Sequence, residues 1–361
     1  MWPYWLLFLF PAVSALNERA RRMNSRGATT KVIIPGSWWL VMVMLTAVVG
    51  WRHEVGGDWG NYLRNFYNAA YASRSPEWWW NDPGYRLLEW ISLQNGWGIH
   101  GVNLLAGAVF SYGVVVFCRH LPRPWLALAV AVPYLVIILG MGYSRQGAAL
   151  GCIMAGLVAL GGGKVLRFAA WAVLGATLHK SAVLLLPMAA LAASRNRWVT
   201  AVWVGVVAGA AYVVLLADSV EQLKAGYLEA GYQSEGALIR LSMNALPAAL
   251  LLWARERFAV GLAQQQLWFW FAVTALALLG LYFVSPSSTA VDRVGLYLLP
   301  LQLMVFAHLP EVLGRPQGSN GSWVMAVVAY YATVQFVWLN FAAHAFAWLP
   351  YRWYPLEWLG S

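Results

Sequence analysis

Two groups of residues in this chain have the types and spacing that chemistry needs. The first opens at residue 52 with Arg-His-Glu-Val-Gly-Gly-Asp, which sets Glu54 and Asp58 on either side of two consecutive glycines. Glycine lets a backbone turn sharply or come close to a ligand beside either carboxylate. Tyr62, Arg64, Tyr85 and Arg86 follow in the same polar stretch, among Trp51, Trp59 and Trp78 to Trp80. Such rings offer flat faces of the kind on which sugars stack. The plainer alternative for residues 61 to 80 is an amphipathic helix lying along a membrane interface, with tryptophan anchors and solvated charges.

The second group is cationic. Arg145-Gln146 follows the break Gly140-Met141-Gly142-Tyr143-Ser144, and His179-Lys180-Ser181 interrupts two apolar runs. An ionisable pair between apolar runs is costly unless hydrated or partnered, which makes it a functional candidate. Asp292-Arg293 follows the polar turn 285 to 289, and Arg240 stands beside Ser242 and Asn244. Each has a bland alternative: Arg145 snorkelling to headgroups, or Asp292-Arg293 forming a local ion pair that caps a helix. Together Arg52, Arg145, Lys180, Arg240 and Arg293 would set several cations at one membrane level. That arrangement suits a lipid diphosphate better than a neutral solute.

The elements that must position these residues are membrane helices. The chain is 61% hydrophobic and 11% charged, with a mean hydropathy of +0.58. A soluble domain of 361 residues could not hide that much apolar surface in one core. Apolar runs close to the length of a bilayer crossing recur throughout, near 2–16, 33–51, 101–117, 125–142, 145–162, 166–178, 181–193, 198–217, 240–254, 264–284, 294–309 and 323–349. The expected fold is an all-α polytopic membrane helix bundle of about 10–12 segments. It forms a single integral membrane domain over residues 1–361, with a long outer loop of amphipathic helices over 52–100. The first run lacks a preceding basic stretch and is expected to be a retained helix, not a cleaved signal.

Charge sets the topology. Basic residues cluster in connections at Arg19, Arg21, Arg22, Arg26 and Lys31; Arg119 and Arg123; Lys164 and Arg167; Arg195 and Arg197; Arg255 and Arg257; and Arg315. The positive-inside rule makes these the cytoplasmic loops. Fourteen of the 24 basic and three of the 14 acidic residues then lie inside. The stretch 166–193 has basic residues at both ends, yet two full crossings do not fit in its length. A broken or re-entrant helix pair meeting at His179-Lys180 resolves the conflict and puts both termini outside. Irregular backbone at membrane depth persists only where it lines a cavity or is buried in protein.

With those motifs in order, the chain resembles the EpsG family of exopolysaccharide polymerases, related in role to Wzy-type polymerases. The matching features are Val55-Gly56-Gly57-Asp58 with Tyr62, Pro83-Gly84-Tyr85-Arg86-Leu87-Leu88, Arg145-Gln146, Leu178-His179-Lys180-Ser181-Ala182, and Asp292-Arg293 with Tyr297. The resemblance runs from about residue 50 to 300. It implies a glycosyltransferase of the bacterial inner membrane that joins oligosaccharide repeat units carried on undecaprenyl diphosphate at the periplasmic face. On this reading Asp58, Glu54 or His179 is the base. Arg52, Arg145, Gln146, Lys180, Arg240, Arg293, Tyr62, Tyr85 and Arg86 bind diphosphate or glycan. Expected partners are the lipid-linked glycan, membrane lipid and a chain-length regulator. The loop 218–239 is short for the classical Wzy type, and the abundance of Trp has no account beyond anchoring and stacking.

Two other readings stay open: a flippase or transporter of lipid-linked oligosaccharide, and an O-antigen ligase-like transferase. Transporters commonly carry internal repeats and a midplane site, and neither is visible here. The net charge of +10 is dispersed between apolar runs, so nucleic acid is not an expected partner. Cys118 and Cys152 fall in apolar segments without ligand spacing, and neither a metal nor another cofactor is expected.

Overall fold

The computed structural model describes residues 1–21, 36–185, 236–285, 287–315 and 318–360. Several expected features fall outside them: five basic residues of the connections (Arg22, Arg26, Lys31, Arg195 and Arg197), the run 198–217 and nearly all of the loop 218–239. The described residues form an all-α polytopic membrane bundle of fifteen α-helices.

In chain order these are α1 (Trp2–Leu16), α2 (Gly36–Gly50), α3 (Trp59–Ala72), α4 (Pro76–Trp79) and α5 (Pro83–Gln94). Then come α6 (Gly98–His120), α7 (Pro124–Ala131), α8 (Ser144–Gly161), α9 (Val165–Leu178) and α10 (Ala237–Trp253). The last five are α11 (Leu262–Tyr282), α12 (Ser288–Gly295), α13 (Leu299–Leu313), α14 (Gly321–Phe341) and α15 (Tyr354–Gly360). Among the described residues four stretches are long and apolar enough to cross a membrane: Gly98–His120, Leu262–Tyr282, Val291–Leu313 and Gly321–Phe341. Shorter apolar helices accompany them at Trp2–Leu16, Gly36–Gly50, Pro124–Gly140, Val165–Leu178 and Ala237–Trp253.

Burial separates central helices from peripheral ones. From Leu126 to Met141 and from Leu296 to Leu309 almost every side chain is buried, so α7 with its continuation and α13 lie inside the bundle. Leu40, Leu166, Leu262 and Phe341 are exposed, which is stable for side chains whose solvent is lipid. Beyond α7 the chain widens into a π-helix over Val132–Gly140. Pro133 at its start has no N–H to hold an ordinary helical ladder. The widened turn ends at the Gly140–Gly142 break and delivers the start of α8.

The ends of the helices sort into two faces. Arg123, at the start of α7, pairs with Glu311 at 2.8 Å and donates to the Glu18, Gly318 and Ser319 carbonyls, so the basic connections around 18, 123 and 315 meet at one face. Gly161 packs against Gln264 at that end too. The polar stretch 52–100 lies at the other face. Within it α3 is amphipathic: Tyr62, Phe66 and Ala69 are buried at positions four and three apart, one stripe of a 3.6-residue helix.

The apolar run read as 323–349 is helical only to Phe341. Residues 342–353 instead form a strap across the start of the 52–100 stretch. His53 N–H donates to the Arg352 carbonyl at 3.0 Å, Gly56 N–H to Ala347 at 2.8 Å, and Tyr354 N–H to Trp51 at 2.8 Å. Trp348 anchors the strap, its Nε1 donating to the Ile137 carbonyl of the π-helix at 2.9 Å. Hydropathy misses this because a strap buried through Trp348 is as apolar as a crossing. Tyr4 donates to the Trp348 carbonyl at 2.6 Å, so both chain ends stand on the side of the 52–100 stretch.

The expected helix break near 166–193 has its first half in the structure. Helix α9 rises 14 residues from the basic face, about 21 Å, and stops where His179 turns extended, with φ −157° and ψ 116°. A 3-10 turn, Lys180–Leu185, follows. The returning residues 186–193 lie outside the described residues.

Candidate functional site

The site gathers where three interruptions of helix meet: the 52–58 loop, the 140–144 break and the end of α9. Gly56 makes the first approach possible. Its φ of +108° is open to glycine, and a Cβ there would stand 2.6 Å from the Met141 carbonyl. Asp82 makes the second. It precedes Pro83 at the start of α5 in the left-handed region, with φ +54° and ψ +61°, a costly conformation that clusters at functional sites.

That turn aims the Asp82 carboxylate, 5% exposed, at the other two interruptions. Oδ1 accepts the Lys180 backbone N–H at 3.1 Å. Oδ2 lies 3.4 Å from Arg145 Nη1 and 3.7 Å from His179 Nδ1. The second separation is within ion-pair reach but too long for a hydrogen bond. Burial alone would raise this carboxyl, but His179, Arg145 and the Lys180 N–H outweigh it and hold Asp82 below the usual carboxylate range. Close approach of α5 to α9 permits the cluster: a Cβ on Gly84 would stand 2.4 Å from Thr177 Oγ1.

Arg145 is held from two further sides. Its guanidinium carbon lies 5.6 Å from the centre of the Tyr62 ring and 5.1 Å from that of Tyr85, within cation–π reach of both. Burial pushes the hydroxyls of both tyrosines upward, so they stay neutral. The arginine is thus oriented before any ligand arrives.

Beside Arg145 opens a cavity of about 250 Å³ lined by Asp58, Asn61, Tyr62, Asn65, Tyr143, Arg145, Gln146, His179 and Arg293. Gln146 Nε2 donates to the Arg293 carbonyl at 2.9 Å and so ties α12 to α8. Behind Arg293, Asp292 accepts both Arg240 Nε at 2.7 Å and Arg240 Nη2 at 2.6 Å. Asn244, one turn along α10 from Arg240, donates to the Gly295 carbonyl at 2.8 Å and accepts Gln302 Nε2 at 2.7 Å. These bonds fix the turn that presents Arg293.

The structure therefore brings together six of the residues singled out in the sequence: Asp58, Tyr62, Arg145, Gln146, His179 and Arg293. Tyr85 supports from behind Arg145, and Lys180 contributes its backbone N–H. Four others stand outside the cavity. Arg52 is 1% exposed, with its guanidinium donating to Val49, Val55, Asn103 and Ser144; four of its five N–H groups hold the loop, and it does not line the cavity. Glu54 is exposed, pairs with Arg352 of the strap and does not line the cavity. Arg86 pairs with Glu89 at 2.7 Å and lies over Trp78, and Arg240 is engaged by Asp292.

Sequence reasoning passed over Asp82, Asn61 and Asn65. Asp82 had a signal, since a carboxylate before Pro-Gly in a polar stretch is a turn former. The asparagines had one as well, lying three and seven positions after Asp58. Among the described residues no group of three or more His, Cys, Asp or Glu side chains is placed to hold a metal ion.

No curated protein and no solved structure matches the chain. The model of the EpsG family matches residues 37–353, a span that holds all nine side chains lining the cavity. By that match the chain belongs to the EpsG family.

Proposed function

We propose that the chain is a polysaccharide polymerase, transferring a growing glycan from undecaprenyl diphosphate to a lipid-linked repeat unit at the periplasmic face of the inner membrane. Membership of the EpsG family supports an exopolysaccharide-related polymerase role. The observation that carries the finer reading is one cavity lined by two guanidinium side chains, Arg145 and Arg293, and a carboxylate, Asp58.

In this reaction the acceptor hydroxyl attacks the anomeric carbon of the growing chain. A new C–O bond forms, the bond from that carbon to the diphosphate oxygen breaks, and the bonding pair leaves with the lipid diphosphate. Two demands follow: cations where the diphosphate gathers charge, and a base for the hydroxyl proton. Arg145, preoriented by Tyr62, Tyr85 and Asp82, meets the first demand with Arg293. Asp58 meets the second. His179 shares Asp82 with Arg145, so it belongs with the diphosphate and stabilises the departing charge. No nucleotide sugar and no soluble domain are needed for this chemistry.

The test is purified protein in detergent given lipid-linked repeat units. Release of lipid diphosphate with chain growth is expected, falling on the order of 10²–10³-fold in Arg145→Ala and Arg293→Ala, the scale of a lost preorganised donor. Vesicles in which the protein moves the lipid-linked unit across the bilayer, with no diphosphate released, would replace this reading with a transporter.

A further inference from the structure

The cavity has two chemically different walls. Arg145, Gln146, His179 and Arg293 come from α8, α12 and the end of α9. Asp58, Asn61, Tyr62 and Asn65 come from the start of α3. Offsets of three, four and seven put the last four on one helix face. That face carries amides, a hydroxyl and a carboxylate toward the cavity, and no cation.

A diphosphate oxygen only accepts hydrogen bonds. Against the α3 wall it would meet the charge of the Asp58 carboxylate, which repels it, and no cation to offset that charge, only the neutral amide and hydroxyl groups. A sugar hydroxyl both donates and accepts, as does a carboxamide, so the two groups match. The amides have capacity to spare. Asn61 makes one long bond, 3.5 Å to Asp58 Oδ1, and Asn65 has no hydrogen-bond partner among the described residues.

From this division we infer that Asn61 and Asn65 form a glycan-reading subsite, holding the acceptor sugar whose hydroxyl faces Asp58, while the opposite wall holds the diphosphate. The inference rests on the glycosyl-transfer reading above and adds to it the residues that choose the acceptor. A cavity of about 250 Å³ lies below the usual range of sites that enclose a whole ligand. The subsite therefore reads the one sugar at the reacting centre, and the rest of the repeat unit extends outside. Acceptor choice is strict at the terminal residue and loose beyond it.

The experiment uses two separate probes on the full chain in detergent: inorganic diphosphate, and the repeat-unit oligosaccharide freed from its lipid. Each is measured as an inhibitor of lipid diphosphate release and, by saturation-transfer NMR or competition, as a ligand. Asn61→Ala and Asn65→Ala are expected to weaken the oligosaccharide about fivefold each, the worth of one net hydrogen bond, and to leave inorganic diphosphate within about twofold. Arg145→Ala is expected to do the reverse. Asn68→Ala, an exposed amide on α3 outside the cavity, serves as the control and binds both probes as the parent does. Oligosaccharide affinity unchanged in the double variant, or both probes weakened equally, overturns the subsite. If the parent releases no lipid diphosphate, the polymerase reading falls alone, and the binding measurement still decides whether α3 reads a glycan.

Discussion

Asp82 Oδ2 lies 3.4 Å from Arg145 Nη1, a contact between the first residue before α5 and the second residue of α8. Because the same oxygen is 3.7 Å from His179 Nδ1 and its neighbour accepts the Lys180 N–H, one carboxylate faces both Arg145 and His179 and fixes how they stand in the cavity. Asp82→Asn keeps an oxygen for Lys180 but removes the charge. Turnover is expected to fall on the order of 10²-fold, with a smaller change in KM, because the loss is of orientation at the leaving diphosphate. The parent's Asp82 is held below the usual carboxylate range, so its ionised arrangement is present above about pH 4 and is lost as pH falls further. Across pH 5 to 8 the ratio of variant to parent rate is therefore flat. Parent-level turnover in Asp82→Asn would remove this residue from the site.

Arg52 is predicted to govern folding and not substrate affinity. Its four acceptors, Val49, Val55, Asn103 and Ser144, surround a guanidinium that is 1% exposed. Burial lowers its proton affinity to a value about 10, still charged at neutral pH. Arg52→Lys offers three donors in place of a planar fork and is expected to cost about 2–3 kcal/mol, and Arg52→Ala more. Thermal unfolding in detergent reads the cost. A folded Arg52→Lys protein should retain the parent's KM for lipid-linked units, and a raised KM with unchanged stability would return Arg52 to the binding site.

The Arg240–Asp292 pair is predicted to be a brace for Arg293. Both carboxylate oxygens of Asp292 are taken by Arg240, a bidentate geometry with both direction and strength. Removing either partner takes away this bidentate pair at a largely buried place, so Arg240→Ala and Asp292→Ala should each reduce polymer length and yield. The double variant should be milder than the sum of the two, with a coupling of about 1–3 kcal/mol in a stability cycle. Additive effects would mean that Arg240 touches substrate on its own account.

Much of this molecule was legible before any coordinates, and the boundary of legibility is physical. Composition demanded a helix bundle in lipid, and the basic residues at both ends of 166–193 demanded that α9 stop at His179. Arg145, His179 and Arg293 were visible as candidates because each stands against apolar sequence, and Asp58 because it follows two glycines in a polar stretch. The function of Asp82 was hidden because its meaning comes from partners 63, 97 and 98 positions away, distances no local pattern encodes. Arg52 misled for the opposite reason: an arginine beside Gly-Gly reads as a ligand donor, whereas its acceptors are the carbonyls of Val49 at the end of α2 and Val55 in its own loop, and side chains from α6 and α8. The strap 342–353 was invisible because hydropathy does not distinguish burial in protein from burial in lipid.

At the face opposite the cavity, Glu18 provides a pH-dependent stability prediction. Burial pushes its carboxyl up to about 7, against the Trp125 N–H that it accepts at 2.9 Å and the nearby Arg21 and Arg123. A carboxyl raised in the folded state is one whose ionisation the fold resists. The resulting destabilisation is absent below the ordinary value near 4.5, grows as pH rises, and is complete above about 7. Glu18→Gln keeps an oxygen for Trp125 and abolishes the ionisation. It should leave the unfolding midpoint unchanged near pH 4.5 and raise it at pH 8, by the equivalent of about 1–2 kcal/mol once partial exposure is allowed for. Midpoints measured by thermal unfolding in detergent at the two pH values test the sign directly: a variant less stable than the parent at pH 8 would mean that the attraction of the nearby Arg21 and Arg123 charges outweighs burial at this face.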